Sequence, residues 1–404
     1  MSIVVPTTKE ERIALIRENL AEELNFDIIE KIIDAGGSPK IYWGTATTGR
    51  PHCAYFVPAI KIAQLLAAGC EVTILLADIH AFLDNLKAPI EMVDHRATFY
   101  RYTITAVLEA VGVKTDKLKF VLGSSYQKSA EYVMDVYRLA SVVSENDARR
   151  ASAEIVKQSN NPPLSGLLYP VLQILDEEYL KVDAQFGGMD QRKLFIAAKE
   201  WLPKIGYKER AHIMNPIVPG LQGAKMSSSD PDSKIDILES AEAITKKIRK
   251  AEAIPKVVEG NGVLAFTEFV LLPAAGLRGK KEFIVERRDE EPLVYTSIEQ
   301  MHSDYANDIL TPQILKPAVS KALIELTAPI RAAYEASKDW QDITLKAYPP
   351  PEKKVKKVKD KGSRHPGKPG GKPEDKKPEV AAEGAAATTK EVEEATSQVA
   401  NVSL

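Results

Sequence analysis

The chain has 404 residues, too many for one hydrophobic core, so two folded domains and a tail are expected. Apolar residues make up 44% and charged residues 27%, the mix of a soluble globular protein, and a formal net charge of -2 excludes nucleic-acid attraction by bulk charge alone. Two cysteines, Cys53 and Cys70, cannot build a disulfide framework or a Cys-rich zinc site, and no apolar run is long enough to span a bilayer.

The first residues, MSIVVPTTKEERIALIRENL, lack both a signal-peptide apolar core and the Arg/Ser bias of a transit peptide, so a cytosolic location is expected. Thr8 and Glu11 form a capping box ahead of Ile13, Ile16 and Leu20 at helical spacing. A second helix starts at Asp27 and stops at Gly36-Gly37. Lys40-IYWG reads as a short strand and Glu71-VTILLAD as a longer one, apolar enough to be buried on both faces. Between them HCAYFVPAIKIAQLLAAG has a helical pattern, which makes a βαβ unit. In such sheets ligands bind at the carboxyl ends of the strands.

Residues 96 to 111 predict another helix and Lys119-FVLG another strand; 126 to 202 read as mostly helical. Residues 220 to 233, after Pro216 and Pro219, begin in extended loop, and AEAITKKIRKAEA returns to a helical pattern. The stretch 255 to 350 reads as a smaller, mainly helical domain interrupted by a charged loop, KKEFIVERRDEEP. From 351 the chain is rich in Lys, Pro and Gly, then in Ala and Glu, and cannot bury enough surface to offset its ordering entropy. The tail 351–404 is therefore expected to be disordered, its first half a basic arm able to touch RNA without sequence preference.

Three constellations carry chemistry. In YWGTATTGRPHCAY (42 to 55), Gly44 and Gly49 let the backbone approach a ligand, and His52 opens a helix where free N–H groups favour phosphate. A glycine-rich βα turn with a satisfied histidine is the alternative. Tyr169, Gln173 and Asp176 stand at i, i+4 and i+7, on one stripe of a helix with apolar neighbours, followed by the close-approach turn Gly187-Gly188-Met189-Asp190-Gln191. Asp190 there is a candidate acceptor for ribose hydroxyls, and a solvated face is the alternative for the acidic stripe. In GLQGAKMSSSDPDSKID (220 to 236), Lys225 and the hydroxyls of Ser227, Ser228 and Ser229 suit the stabilisation of a polyphosphate leaving group. An ordinary surface loop is the alternative reading.

Together, IYWGTATTGRPH, LLADIHAFLDN, LSGLLYPVLQ, DEEYLKVDAQFGG and PGLQGAKMSSS resemble, in order, stretches of the class I aminoacyl-tRNA synthetases, and among them the eukaryotic cytoplasmic tyrosyl-tRNA synthetases, over roughly residues 8–350. The resemblance implies an α/β chain: a Rossmann-like catalytic domain with a parallel sheet over 1–234, with a dimer-forming insertion near 120–190. A mainly α-helical anticodon-binding domain over 235–350 and the tail would follow. It puts His52-Cys53-Ala54-Tyr55 in place of the HIGH element, with Ala54 and Tyr55 replacing its glycine and second histidine. It puts Lys225-Met226-Ser227-Ser228-Ser229 in place of KMSKS, with Ser228 replacing the second lysine. Mg2+ arriving with ATP, or a monovalent cation, is the candidate for the missing charge.

By the same resemblance Tyr42 and Asp176 take the tyrosine phenol, Tyr169, Gln173 and Gln191 its amino and carboxyl end, and Asp190 the ribose. Gly44, Thr47, Gly49, His52, Gly188, Lys225 and Met226 complete the ATP site. His80 would lie near the pocket, with a structural role as its alternative. The implied reaction activates L-tyrosine with ATP and Mg2+, with no tightly bound cofactor, and passes the tyrosyl group to tRNA(Tyr). The implied enzyme is a cytoplasmic homodimer that needs no membrane; TKKIRK (245 to 250) is a candidate signal for a nuclear pool, with a solvated helix face as its alternative. Pro312-Gln313-Ile314 lacks the acid expected for anticodon reading, and a basic tail where many animal members carry a folded domain suggests a fungal or similar source. The competing readings are a tryptophanyl-tRNA synthetase and a non-catalytic RNA-binding derivative.

Overall fold

A computed structural model describes residues 6–84, 88–115, 118–155, 163–221 and 234–350. The tail 351–404, expected to be disordered, lies outside the described residues.

The chain opens with α1 (Lys9–Arg17), where the expected capping box is formed: Thr8 Oγ1 accepts from the Glu11 amide at 3.1 Å and Glu11 Oε2 accepts from the Thr8 amide at 3.1 Å. Next come β1 (Glu22–Leu24) and α2 (Asp27–Asp34), which buries Ile29 and Ile33. The βαβ unit is β2 (Lys40–Ala46), a 3-10 turn at Cys53–Tyr55, α3 (Phe56–Ala67) and β3 (Glu71–Ala77). Gly69, at φ +79°, takes the left-handed conformation that ends α3 and turns the chain into β3. Then follow α4 (Asp78–Leu83), α5 (Val93–Ala110), β4 (Lys119–Leu122), α6 (Ser124–Gln127), α7 (Ala130–Ala140), α8 (Glu145–Ser152), α9 (Ser165–Tyr179), β5 (Ala184–Gly188), α10 (Arg192–Trp201) and β6 (Ala211–Asn215).

The six strands are ordered β1-β6-β5-β2-β3-β4, all neighbours parallel except β1, which runs antiparallel along β6 from Glu22↔Met214 to Leu24↔His212. From β2 the chain builds outward through β3 to β4, then returns to place β5 on the other side of β2. The β2/β5 boundary is thus a topological switch point, where the connections leave a crevice beyond the strand ends.

The sheet differs from the sequence reading in three strands, β1, β5 and β6, none of which was expected as a strand. β5 lies within the stretch read as mostly helical; its Gly187 and Gly188 depress strand propensity and hide it. A Cβ on Gly187 would stand 2.8 Å from the Phe195 ring, so that glycine admits α10 close to the strand. β1 is a three-residue edge strand bearing two acids, a pattern that protects an edge but carries no strand signal.

Beyond 234 come α11 (Ala241–Lys250), α12 (Gly262–Phe266), α13 (Leu272–Leu277), β7 (Phe283–Arg287), β8 (Glu290–Tyr295), α14 (Ile298–Ala306), α15 (Pro312–Ala336) and α16 (Lys338–Ala347). The charged loop expected here is a β-hairpin: Phe283 and Val285 are buried, Ile284 between them is exposed, and Asp289 turns the chain at φ +58°. One apolar core joins the sheet to these helices, from Ile16 and Ile33 through Phe99 to Leu323 and Trp340. Within it α5 packs against α3, α15 and α16.

Candidate active site

The carboxyl ends of β2 and β5 open into a cavity of about 490 Å³, at the switch point. Tyr42, Gly44, His52, Tyr169, Gln173, Asp176, Asp190 and Gln191, all named from the sequence, line it. Gly188 lines an adjoining cavity of about 170 Å³ together with Trp43, His52, Ala54 and Asp190. Thr47 is fully buried and does not line the cavity; its neighbour Thr48 does. Gly49 is not on the wall either: its carbonyl accepts from the Tyr100 hydroxyl. Lys225, Met226, Ser227, Ser228 and Ser229 lie outside the described residues.

Helix α9 supplies the acidic stripe as its spacing predicts, with Tyr169, Gln173 and Asp176 all facing the cavity. Gln173 Nε2 donates to Gln191 Oε1 at 2.7 Å, tying α9 to the turn after β5. The Tyr42 hydroxyl, fully buried, donates to the Gln173 carbonyl at 3.3 Å.

Asp176 is completely buried, and its two oxygens have different surroundings. Oδ1 accepts from the Tyr126 hydroxyl at 2.7 Å, the Gln127 amide at 2.8 Å and the Tyr132 hydroxyl at 3.0 Å. Oδ2 receives no hydrogen bond among the described residues. His80 Nε2 lies 3.8 Å from it, on a ring packed edge-on to Tyr169 at 4.8 Å between centroids. Burial pushes His80 down to about 3, so the imidazole is neutral at physiological pH and forms no ion pair with the acid. Burial likewise pushes Asp176 up to about 7, against the three donors on Oδ1 and with the neighbouring Glu177 adding to the rise. An unbonded, fully buried carboxylate oxygen costs about 1–3 kcal/mol or more, which a ligand donor would recover.

Tyr126, Gln127 and Tyr132 were missed by the sequence reading. They come from α6 and α7, 44 to 50 positions from Asp176 in the chain, so no local period links them. The available signal was their position just past the carboxyl end of β4. Glu177 and Glu178 are also engaged: Glu177 Oε1 lies 2.7 Å from His212 Nε2, both fully buried, and Glu178 accepts from buried Arg210. Of the three consecutive acids only Asp176 faces the cavity.

Residues 35–328 match the family described as tRNA synthetases class I (W and Y), and the chain belongs to that family. Within it, the chain is 50% identical over 378 residues to the cytoplasmic tyrosine–tRNA ligase of Saccharomyces cerevisiae, covering 91% of this chain and 96% of that one. It is 51% identical over 352 residues to the cytoplasmic tyrosine–tRNA ligase of Danio rerio, covering 87% of this chain but 65% of that longer protein. A tyrosyl-tRNA synthetase from Archaeoglobus fulgidus, solved with L-tyrosine, superposes with a TM-score of 0.74 at 35% identity over 81% of this chain and 99% of the other.

Proposed function

We propose that the chain is a cytoplasmic tyrosine–tRNA ligase. It activates L-tyrosine with ATP to give tyrosyl-adenylate and pyrophosphate, then transfers the tyrosyl group to the 3' end of tRNA(Tyr). The observation that carries the choice of amino acid is Asp176 Oδ2, a buried acceptor on the cavity wall that receives no hydrogen bond among the described residues. A phenol both donates and accepts. The Asp176 oxygen accepts from the phenol, and the Tyr42 hydroxyl donates to it by exchanging its 3.3 Å bond to the Gln173 carbonyl for one to the ligand, whereas an indole N–H uses only the acceptor. Tyr169, Gln173 and Gln191 would hold the amino and carboxyl end, Asp190 the ribose, and the 44–52 segment through its cavity-lining residues Gly44, Thr48 and His52, with Gly188, the nucleotide.

The cavity presents Asp84, Asp176 and Asp190 to a substrate that is itself a polyanion. Cations must offset that charge, and Mg2+ accompanying ATP supplies one. Lys225, with Met226 and the serines 227 to 229, would supply another, a role resting on sequence resemblance. Support comes from the next described residues: Ile235 accepts from the Cys53 amide at 2.9 Å, so the chain leaving that stretch runs beside His52. No covalent enzyme intermediate is required, since positioning and charge stabilisation suffice.

The catalytic part would span 1–234 and the helical part 235–350 would read the anticodon. A homodimer would form through the outer face of α7, where Met134 and Tyr137 are exposed opposite the buried Tyr132, Asp135 and Leu139. The location follows the relatives named cytoplasmic. No described helix is long and apolar enough to cross a membrane. ATP–pyrophosphate exchange with each amino acid in turn tests the reading: exchange with tyrosine alone supports it, and exchange with tryptophan or with none contradicts it.

A further inference from the structure

The loop after β2 is held from outside at four successive carbonyls. Thr48 O accepts from Arg96 Nη1 at 2.6 Å and from the Tyr348 hydroxyl at 3.2 Å. Gly49 O accepts from the Tyr100 hydroxyl, Arg50 O from Lys234 Nζ at 3.2 Å, and Pro51 O from the Ile237 amide at 3.3 Å. Each acceptor is thus engaged by a group from another part of the chain. A loop that faces phosphate gains from this, because a carbonyl turned toward the ligand would repel it.

The double contact at Thr48 is the most specialised of these. Thr48 is the residue of the loop, short of His52, that lines the cavity. Arg96, Phe99 and Tyr100 stand at i, i+3 and i+4 on α5, so all three point to the same side. The Arg96 guanidinium also donates through Nε to the Ala347 carbonyl at 3.2 Å and sits over the Tyr348 ring at 4.9 Å. Phe99 meets that ring edge-on at 5.2 Å. Packing alone would be served by an apolar residue at 96; a planar cation that binds two carbonyls and a ring fixes an orientation.

We propose that Arg96 and Tyr348 are positioning residues for the ATP step, holding the Thr48 carbonyl outward so that the loop keeps the shape that receives the nucleotide. The segment after α16 thereby becomes part of the support of the active site. This rests on the reading of the 44–52 backbone as the nucleotide side.

The test is ATP–pyrophosphate exchange and equilibrium tyrosine binding on full-length Tyr348→Phe, Arg96→Met, Arg96→Lys and His52→Ala. Tyr348→Phe loses one of two donors to Thr48, and KM for ATP should rise about 3- to 10-fold. Arg96→Met loses a charge-assisted bond as well, for a rise of about 10- to 100-fold, and Arg96→Lys should recover part of it. The double variant Arg96→Met/Tyr348→Phe should fall short of the product of the singles, because both act on one carbonyl. Tyrosine affinity and binding stoichiometry should stay within about twofold, since other elements build that end. The proposal is overturned if KM for ATP is unchanged in the Arg96 and Tyr348 variants while His52→Ala disturbs it. It is overturned equally if those variants only lose tyrosine-binding sites at constant KM, which is loss of fold. If His52→Ala also leaves the ATP parameters untouched, the nucleotide-side reading itself is wrong and the proposal falls with it.

Discussion

Tyr132 on α7 donates to Asp176 on α9, Oη to Oδ1 at 3.0 Å, and the same hydroxyl lies 2.9 Å from the Leu172 carbonyl. With Tyr126 and Gln127 it occupies one carboxylate oxygen, while the other receives no hydrogen bond among the described residues of this cavity-lining acid. The acid is aimed by residues that do not themselves need to touch a substrate.

Removing one of the three donors should therefore cost affinity without abolishing it. Tyr132→Phe should weaken tyrosine binding about 3- to 10-fold, the net worth of a neutral hydrogen bond, and leave KM for ATP unchanged. Equilibrium dialysis with tyrosine checks this. An unchanged affinity would mean that Tyr126 and Gln127 alone orient the acid.

The acid should also show in the pH dependence. Burial raises Asp176 from the ordinary 3.8 to about 7, so between those values the folded chain holds a proton that the unfolded chain has released. The Asp176 contribution to stability therefore falls as pH rises through that window. Tyrosine binding draws on the ionised form, so it should follow the opposite trend, tightening up to about pH 7 and weakening by as much as about tenfold per unit below it. Binding titrations from acid to mildly alkaline pH measure this, and Asp176→Asn should flatten the profile.

Lys225 lies outside the described residues, and its role is a matter of chemistry inferred from sequence. If it stabilises the departing pyrophosphate, Lys225→Ala should lower kcat and kcat/KM for adenylate formation together, by about 10²-fold or more. Tyrosine affinity should hold, and Lys225→Arg should restore part of the rate, a planar fork being a poor copy of a point charge. Rapid-quench adenylate formation, set beside tyrosine binding, distinguishes this from collapse of the pocket.

The tail offers a contrast with Tyr348. Ending the chain after Pro351 removes the lysine-rich stretch and keeps every described residue. Adenylate formation should be intact and tRNA association modestly weaker, with the larger effect at low salt. A shortened protein unable to form adenylate would contradict the completeness of the site without the tail.

What could be read from the sequence follows local periodicity. β2 and β3 were legible because both are apolar runs between glycine-bearing turns, and Tyr169, Gln173 and Asp176 because a helical stripe of polar groups among leucines stands out. β5 was not, because Gly187 and Gly188 serve close approach rather than strand propensity. The β7–β8 hairpin was masked by the charges on its outward face, although Phe283 and Val285 alternate as a strand should. Tyr126, Gln127 and Tyr132 could not be joined to Asp176 by any spacing, since tertiary folding alone brings them together. The support of Thr48 by Arg96 and Tyr348 spans 300 positions at its longest and was equally invisible.

Asp176 Oδ2 is the group proposed to receive the phenol of the amino-acid substrate. The most direct test is ATP–pyrophosphate exchange by Asp176→Ala with tyrosine and with phenylalanine, compared with the unaltered protein. The expected result is a loss in kcat/KM for tyrosine of about 10- to 100-fold or more, with phenylalanine little changed or improved, so that the ratio between them narrows. An undiminished preference for tyrosine in that variant would show that the phenol is recognised elsewhere than at Asp176.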